Sequence, residues 1–228
     1  MSGVDTARPA VAAWRVDLHT HTRFSPDSLT GPAALIARAR EVGIDRLAVT
    51  DHNTIEGALV AKQLAPDLII VGQEIDTAAG GELIAYFLQE RVPPGLSLDE
   101  TIHRLRAQGA VISISHPVDR YRNSALGERH TLEIIDRVDA LEVFNARCLS
   151  AADNEHAAAL AARHGKAITA GSDAHTLGEV GRAYLTVPPF EDRSDAFLAA
   201  LAQAQACGRL SGVWPHWRST FAKLRKRL

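Results

Sequence analysis

The sequence predicts an α/β fold built as a closed β/α barrel. Short apolar segments typical of strands alternate with helices of about ten residues along the chain, which is the pattern of βαβ units around a parallel sheet. Six or seven such units in one domain favour a closed, distorted barrel over an open doubly wound sheet. Side chains that bind metals also come directly after several strands, and the catalytic face of a barrel lies at that end.

Composition limits the classes of protein to consider. The 228 residues are 46% hydrophobic, enough to bury the core of one domain. With 25 Lys and Arg against 27 Asp and Glu, the formal charge of -2 gives no strong signal for nucleic-acid binding. No segment approaches the roughly 18 apolar residues of a membrane helix. Two widely separated cysteines, Cys148 and Cys207, are typical of a reduced, cytoplasmic protein.

We expect residues 1–14 to be a flexible extension and residues 15–228 to form a single domain. The extension lacks the basic start and long apolar run of a signal peptide. Residues 218–228 are basic, and we predict a solvated C-terminal helix there rather than a contact with a polyanion. The sequence gives no signal for the oligomeric state.

Glycine and proline mark the ends of the predicted elements in the first half of the chain. Pro32 fits the first turn of a helix over residues 32–42, and Gly43 ends it. Pro66 closes a second helix over residues 55–64, and Gly80-Gly81 predicts a hairpin turn. The predicted strands of this half cover residues 16–20, 44–50, 68–75 and 83–88.

Similar signals organise the second half. Ser97 and Glu100 form a capping box for a helix that runs to Gln108. Pro117 cannot continue a strand ladder, so the chain turns directly after His116. Further helices are predicted over residues 131–137, 151–164 and 195–206. The strands of this half cover residues 110–115, 141–144, 167–170 and 183–187.

The first predicted strand ends in a pair of histidines, His19 and His21. Side chains two residues apart on a strand leave the same face, roughly 6.6 Å apart at about 3.3 Å per residue. Because a metal–nitrogen bond is only about 2.1 Å long, such a pair can hold one ion. Further metal-binding residues follow later strands, in the segments Asp51-His52, Ser115-His116 and Asp173-Ala174-His175. This repeated placement predicts a metal-dependent enzyme.

These motifs resemble the polymerase and histidinol phosphatase (PHP) superfamily. The likeness extends over residues 15–190, and its motifs are Asp17-Leu18-His19-Thr20-His21-Thr22, Thr50-Asp51-His52, Gly72-Gln73-Glu74, His116-Pro117 and Gly171-Ser172-Asp173-Ala174-His175. The resemblance implies a distorted, TIM-like barrel of seven strands, two or three divalent ions (Mn, Fe or Zn), and hydrolysis of phosphate esters.

The resemblance also implies a ligand set. The implied ligands are His19, His21, Asp27, His52, Glu74, Glu82, His116, Asp173 and His175. His19, His21 and Asp173 would hold one ion, and Glu74 would bridge to the others. The residues implied in catalysis are His19, His21, Asp173 and His175.

The second and third ions depend on departures from the family pattern. Asp27 stands where many members have a histidine, and a carboxylate is a competent ligand. Together with His52 and His175, Asp27 would hold the second ion. His116 would serve a third ion with Glu74. Glu82 also replaces a histidine; its ligation would favour harder ions such as Mn, and without it the centre is binuclear.

Other polar residues are predicted around this centre. Asp17 and Asp51 are expected to accept N–H groups of ligand imidazoles and so orient the rings. Arg120, Arg122 and Arg147 follow strand ends, and a guanidinium binds phosphate with two parallel hydrogen bonds. We therefore expect these arginines to hold a small phosphorylated substrate.

The predicted reaction is attack on phosphorus by a hydroxide that the ions share. The sequence does not identify the acid that protonates the leaving group. Two alternatives stay open: an amidohydrolase-like barrel acting on an amide or lactone, and a metal- or nucleotide-binding module without catalysis. Lys62 falls in a predicted helix and Lys166 precedes a strand, so neither suits the carbamylated lysine of an amidohydrolase.

Overall fold

The structure is a computed structural model that describes residues 13–212 and 214–226. Within these residues, strands and helices alternate over most of the chain. The strands are β1 (Trp14–Asp17), β2 (Arg46–Val49), β3 (Ile69–Asp76), β4 (Glu82–Tyr86), β5 (Val111–Ile114), β6 (Ala140–Asn145), β7 (Ala167–Gly171), β8 (Ala183–Val187) and β9 (Gln205–Gly208). The helices are α1 (Pro32–Glu41), α2 (Glu56–Leu64), α3 (Leu98–Ala107), α4 (Gly127–Ile134), α5 (Ala151–Arg163), α6 (Ser194–Leu201) and α7 (Trp214–Arg225).

All nine strands of the described residues belong to one sheet, in the order β7-β6-β5-β4-β3-β2-β1-β8-β9. The pairs β1–β2, β2–β3, β5–β6 and β6–β7 are parallel. β4 runs antiparallel to both neighbours, because the predicted turn at Gly80-Gly81 joins it to β3 as a hairpin. Gly80 has a φ of 85°, a conformation that glycine adopts without strain.

Backbone hydrogen bonds also join the two sides of the sheet. The N–H of Leu18 donates to the carbonyl of Ala170 in β7 at 3.2 Å. Further along, the N–H of His21 donates to the carbonyl of Ala174 at 2.9 Å. Because these bonds connect the continuation of β1 to β7, the sheet curls into a nearly closed barrel. β8 and β9 extend it beyond β1.

Alternation along the strands separates the interior of the barrel from the helices. Ile84 and Tyr86 of β4 pack in a cluster with side chains of β1, β2, β3, β5, β7 and β8. Leu83 and Ala85 point the other way and pack with residues of α3. Phe197 of α6 joins the interior cluster. The apolar residues of the sheet are thus buried on both faces, as a barrel requires.

The structure differs from the sequence-based expectation at three places. The described residues form nine strands, whereas the family resemblance implied a barrel of seven; residues 183–187 were predicted as a strand and form β8, but β9 was not predicted. The helix predicted over residues 195–206 ends at Leu201, and Gln205 and Ala206 belong to β9. Trp14 was assigned to the flexible extension but begins β1, whereas residues 1–12 lie outside the described part. No helix in the described ranges is long and apolar enough to span a membrane.

Candidate metal centre

Six strands deliver the candidate ligands to one end of the sheet. His19 and His21 follow β1, and His52 follows β2, where it forms a bridge with Glu74 of β3. Glu82 begins β4, which is antiparallel to β3, so it lies at the same end. The ligands that come after β5 and β7 are His116, Asp173 and His175. All these side chains are buried except that of His52, which is partly exposed.

Glu74 lies at the centre of this cluster. Its Oε2 atom is 3.2 Å from His19 Nε2 and 3.4 Å from His21 Nε2. Asp173 Oδ1 lies 3.6 Å from His19 Nε2 and 3.3 Å from His21 Nε2. Two donor atoms that each lie about 2.1 Å from one ion are roughly 3.4 Å apart. The structure therefore brings together the four side chains expected around the first ion.

The residues expected around a second ion also meet. Asp27 Oδ1 lies 3.2 Å from His175 Nε2, and Asp27 Oδ2 lies 3.5 Å from His52 Nε2. His52 Nδ1 is 3.2 Å from Glu74 Oε2, which joins this group to the first. A carboxylate thus stands between two imidazoles where many family members have a third imidazole.

A third group surrounds Glu82. His116 Nε2 lies 3.2 Å from Glu82 Oε2 and 3.3 Å from Glu74 Oε1. The other oxygen of Glu82, Oε1, is 3.4 Å from His52 Nδ1. Glu82 is therefore placed as a ligand would be, between two imidazoles and beside the central carboxylate.

Several buried atoms of the cluster lack a hydrogen-bond partner among the described residues. They include His19 Nε2, His21 Nε2, Asp27 Oδ1, Glu82 Oε2, His116 Nε2 and Asp173 Oδ1. Leaving a buried polar atom without a partner costs about 1–3 kcal/mol, and imidazole nitrogens and carboxylate oxygens are ligands for divalent ions. Three triads have donor atoms within 4.8 Å of one another: His19-His21-Glu74, His21-His52-His175 and His52-Glu74-Glu82. The residues present fit a cluster of divalent ions.

Neighbouring groups set the orientation of two imidazoles. Glu142 Oε1 lies 2.9 Å from His19 Nδ1, so this nitrogen carries the proton and Nε2 faces the cluster. His21 Nδ1 lies 3.0 Å from the hydroxyl of Ser25, which itself donates to Asp51 at 2.9 Å. His21 Nδ1 is therefore also the donor. The alternation along β6 could indicate Glu142, whereas no sequence signal pointed to Ser25.

Asp17 and Asp51 do not accept N–H groups from imidazoles, contrary to the prediction. Asp17 accepts hydrogen bonds from the backbone N–H of Ser172 at 2.9 Å, from the hydroxyl of Ser172 at 2.6 Å and from the backbone N–H of Gly181 at 3.0 Å. Asp51 accepts both the N–H and the hydroxyl of Thr22 at 2.6 Å. Each carboxylate lies beside the backbone of an adjoining loop, so it anchors the loop that carries ligands.

Two candidate ligands have an unusual backbone. His116 has a φ of 27° and Asp173 a φ of 52°, a region that residues with a Cβ rarely adopt. Such conformations cost about 1–3 kcal/mol and persist where the surrounding structure enforces them, often at functional sites. Both residues lie just after a strand, where the chain enters the cluster.

Burial and charge determine the protonation of the imidazoles. Burial, together with the imidazole of His175, lowers the pKa of His21 to about 4, so His21 is neutral at pH 7. Although burial opposes it, the Glu74 carboxylate raises the pKa of His19 well above its usual value. The same carboxylate raises the pKa of His52 against the effect of burial. The four carboxylates of the cluster, those of Asp27, Glu74, Glu82 and Asp173, supply the negative charge that a cation requires.

The predicted arginines take three different places. A cavity of about 320 Å³ lies beside the cluster, and we call it the polar cavity. Arg122 lines the polar cavity and donates to Asp173 Oδ2 at 2.7 Å. Arg120 Nε donates to Asp153 Oδ1 of α5 at 2.8 Å, and Arg120 is not among the residues that line this cavity. A contact between Arg120 and substrate stays a prediction.

Arg147 is buried and bonded to the protein. Its Nη1 lies 2.5 Å from His175 Nδ1, and its Nη2 donates to the hydroxyl of Ser219 at 2.8 Å. Its Nε is 3.5 Å from Glu179 Oε1. The guanidinium therefore ties the loop after β6 to α7 and to the candidate ligand His175. Arg147 also lines the polar cavity beside the cluster, so its contact with substrate stays a prediction.

The basic C-terminal helix returns to the site. Lys223 Nζ lies 3.3 Å from Asp27 Oδ2, and Lys223 lines the polar cavity together with Ser219 and Thr220. Lys226 donates to the backbone carbonyls of Arg23 and Ser25. The sequence predicted a solvated helix here, and neither its charge nor its periodicity indicated a contact 200 residues away.

The structure is a nearly closed β/α barrel with a candidate metal-binding cluster, and comparison with known proteins gives its family. The family model described as PHP-associated matches residues 151–206. Two uncharacterized proteins of Methanocaldococcus jannaschii are similar to the chain: one is 38% identical over 146 residues (58% of this chain, 82% of that protein), the other 37% identical over 174 residues (75% and 69%). The chain belongs to the PHP superfamily.

Other similarities are more distant. A 5'-3' exoribonuclease of Haemophilus influenzae is 30% identical over 136 residues, 58% of this chain and 42% of that protein. A candidate metal-dependent phosphoesterase of Bifidobacterium adolescentis has a TM-score of 0.61 at 19% identity, covering 86% of this chain and 97% of the other. An amidohydrolase of Chromobacterium violaceum has a TM-score of 0.60 at 19% identity, with coverages of 83% and 97%. At these identities the solved structures support the fold.

Proposed function

We propose that the protein is a metal-dependent hydrolase of phosphate esters. The observation that carries this proposal is the convergence of four imidazoles on Glu74, with a fifth imidazole and three further carboxylates beside them and with unpartnered donor atoms in the cluster. Membership of the PHP superfamily supports the same reaction, since a related fold belongs to a candidate phosphoesterase.

Two or three divalent ions (Mn, Fe or Zn) would be held by the three groups described above. When bound, such ions provide an activated water at neutral pH and neutralise charge on phosphoryl oxygens. The chain's own contribution is to hold the ligands: Glu142 and Ser25 keep Nε2 of His19 and His21 directed at the cluster. Glu82 would complete the third group, beside His116.

Cationic side chains at the polar cavity would position the ester. Arg122 is fixed by Asp173, and its remaining N–H groups can donate to phosphoryl oxygens with the geometry that a guanidinium offers. Lys223 brings a second positive charge to the same cavity, beside Asp27. Both charges favour an anionic substrate over a neutral amide or lactone.

Hydrolysis of an amide or lactone is the second candidate, because the chain also shares its fold with an amidohydrolase. Lys62 of α2 donates to the carbonyls of Pro66 and Ile69, and Lys166 donates to the carbonyl of Val138. Neither lysine reaches the cluster, so neither supports a carbamylated ligand. A binding module without catalysis is the third candidate, and activity alone separates it from the first two.

The test is a comparison of substrates with protein loaded with Mn, Fe or Zn. The panel holds phosphomonoesters, a phosphodiester, an oligoribonucleotide, lactones and amides. We expect turnover of phosphate esters and a loss of at least a thousandfold for His19→Ala or Asp173→Ala. His156→Ala is the matched control, since this histidine is exposed on α5 and pairs with Glu128.

Two outcomes would contradict the proposal. Turnover of lactones or amides with none of phosphate esters would favour the amidohydrolase reaction. Retention of metal without hydrolysis of any member of the panel would favour a binding module.

A further inference from the structure

A second cavity, of about 640 Å³, adjoins the candidate metal centre. We call it the apolar cleft. One wall holds Leu29, Ala34 and Leu177, and the other holds Trp217 and Phe221 of α7. Its volume lies within the range of small-molecule sites, about 300–1,000 Å³.

The apolar cleft is continuous with the metal centre. Asp27 and His175, whose Oδ1 and Nε2 atoms lie 3.2 Å apart, line both the apolar cleft and the polar cavity beside the cluster. A molecule whose phosphate lies at the cluster can therefore extend past this pair. The rest of the molecule would then occupy the apolar cleft.

The two sides of α7 face two different environments. Trp217 and Phe221 are four residues apart, so they share one side of the helix, and this side lines the apolar cleft. Ser219, Thr220 and Lys223 line the polar cavity. α7 thus separates a compartment for an anion from a compartment for an uncharged group.

The apolar side chains of the cleft are unusually accessible. Trp217 is 71% exposed and Phe221 is 61% exposed, while Leu29 and Leu177 opposite them are also exposed. Clustered exposed apolar residues mark binding sites more often than isolated ones. Apart from Asp27 and His175, no described residue of the lining has an ionisable side chain.

The walls of the cleft are held in place. Lys226 anchors the end of α7 to the carbonyls of Arg23 and Ser25, and Ser219 accepts from Arg147. On the opposite wall, Gly31 and Gly178 leave open space where a Cβ would stand. The apolar cleft is therefore formed before a ligand enters, and this reduces the conformational entropy that the protein loses on binding.

We propose that the apolar cleft binds a flat aromatic group on the alcohol part of the phosphate ester. The inference rests on the proposed function, because it places the phosphate at the cluster. A tryptophan and a phenylalanine on one wall favour a planar ring, which gains from stacked and edge-to-face contacts beyond burial of area. The cleft would then select the ester, while the cluster hydrolyses it.

The test compares three synthetic esters whose alcohols have similar acidity, so that leaving-group reactivity is equal. They are 2-(1-naphthyl)ethyl phosphate, 2-cyclohexylethyl phosphate and butyl phosphate. We expect kcat/KM to be at least tenfold higher for the naphthyl ester than for either other ester. Trp217→Ala and Phe221→Ala should each lower the ratio of naphthyl to butyl kcat/KM about tenfold. Leu224→Ala is the control, because Leu224 is exposed on α7 but does not line the cleft.

Equal kcat/KM for the three esters, or an unchanged ratio in both variants, would overturn the aromatic cleft and leave the proposed function intact. Equal preference for the cyclohexyl and naphthyl esters would overturn the requirement for a flat ring. If no ester is hydrolysed, calorimetric binding of the naphthyl ester decides. Binding that Trp217→Ala weakens would support the cleft while the proposed function fails, and absence of binding would overturn both.

Discussion

Two imidazoles of the cluster, those of His19 and His21, are oriented through the ring nitrogen that faces away from the centre. The Nδ1–H of His19 donates to Glu142, and that of His21 donates to Ser25, so the two Nε2 atoms point at Glu74 and Asp173. A buried ring without such a partner could rotate or change tautomer, and its ligand atom would be lost. The polar neighbours therefore determine the centre as much as the ligands do.

Glu142→Gln tests this role. The carboxylate accepts from His19 on one oxygen and from the N–H of His116 and the amide of Asn145 on the other. A glutamine places an NH₂ group against one of these donors, so we expect affinity for Mn²⁺ to fall about 10–100-fold. Calorimetric titration measures the affinity. The matched control is Glu133→Gln, on the exposed side of α4; equal affinities for both variants would show that Glu142 does not orient the ligand.

The raised pKa values of two imidazoles predict that metal binding releases protons. Burial lowers the pKa values of His19 and His52, but nearby carboxylates, Glu74 foremost, raise both well above the usual value and so favour the protonated rings in the metal-free protein. An ion binds only the deprotonated ring, so affinity should rise between pH 6 and pH 8. Calorimetry in buffers of different ionisation enthalpy measures the protons released. A binding enthalpy that is the same in every buffer would contradict this prediction.

At the scale of residues, the sequence predicted which side chains converge but not what each one contacts. Ligands such as His19 and Asp173 could be found because each stands directly after a recognisable strand. Asp27, Glu74 and Glu82 were implied by the family resemblance alone. The partners of Asp17 could not be found, since its carboxylate bonds to Ser172, which is 155 residues away. The contacts of Arg147 and Lys223 could not be predicted either, because both depend on how α7 packs against the barrel.

Among the elements, β1 and β7 do most to place the ligands. They meet side by side, and Gly171 at the end of β7 packs against the backbone of His19. A Cβ at Gly171 would lie 2.2 Å from His19 Cβ and 2.7 Å from its nitrogen. Only a residue without a side chain allows the two ligand-bearing segments to come so close.

Gly171→Ala should therefore lower the stability of the protein and, at the same time, reduce its binding of the first ion. Overpacking of this kind costs about 1–3 kcal/mol, which lowers the melting temperature by roughly 2–4 °C for each kcal/mol in a chain of this size. Thermal unfolding and metal content are measured on the same sample. Gly178→Ala is the control, because nothing lies within 4 Å of its added Cβ. The same melting temperature for both variants would show that the close approach is not required.

Elements were predictable where the signal is local. Ser97 caps α3 as predicted, with its hydroxyl accepting from the N–H of Glu100 at 3.2 Å, but the Glu100 carboxylate accepts from Arg104 instead of completing the capping box. The predicted hairpin at Gly80-Gly81 is confirmed. β9 was missed because its residues, around Gln205, follow an alanine-rich helix without a break in pattern. Its strand conformation comes from pairing with β8, a tertiary contact that local propensity does not encode.

For the whole molecule, the barrel and the cluster depend on each other. Closure of the sheet brings the segments after β1 and β7 together, and these segments carry His19, His21, Asp173 and His175. The hairpin that reverses β4 then adds Glu82 to the same end. The central claim is that this end of the barrel holds a cluster of divalent ions.

The most direct measurement is the metal content per chain, by elemental analysis of protein purified without chelators or a histidine tag. We predict two or three divalent ions per chain in the wild type and fewer in His19→Ala and Asp173→Ala. A metal content close to three ions per chain would include Glu82 among the ligands, and a content close to two would exclude it. A wild-type protein that takes up no ion, even after incubation with Mn, Fe or Zn, would contradict the claim.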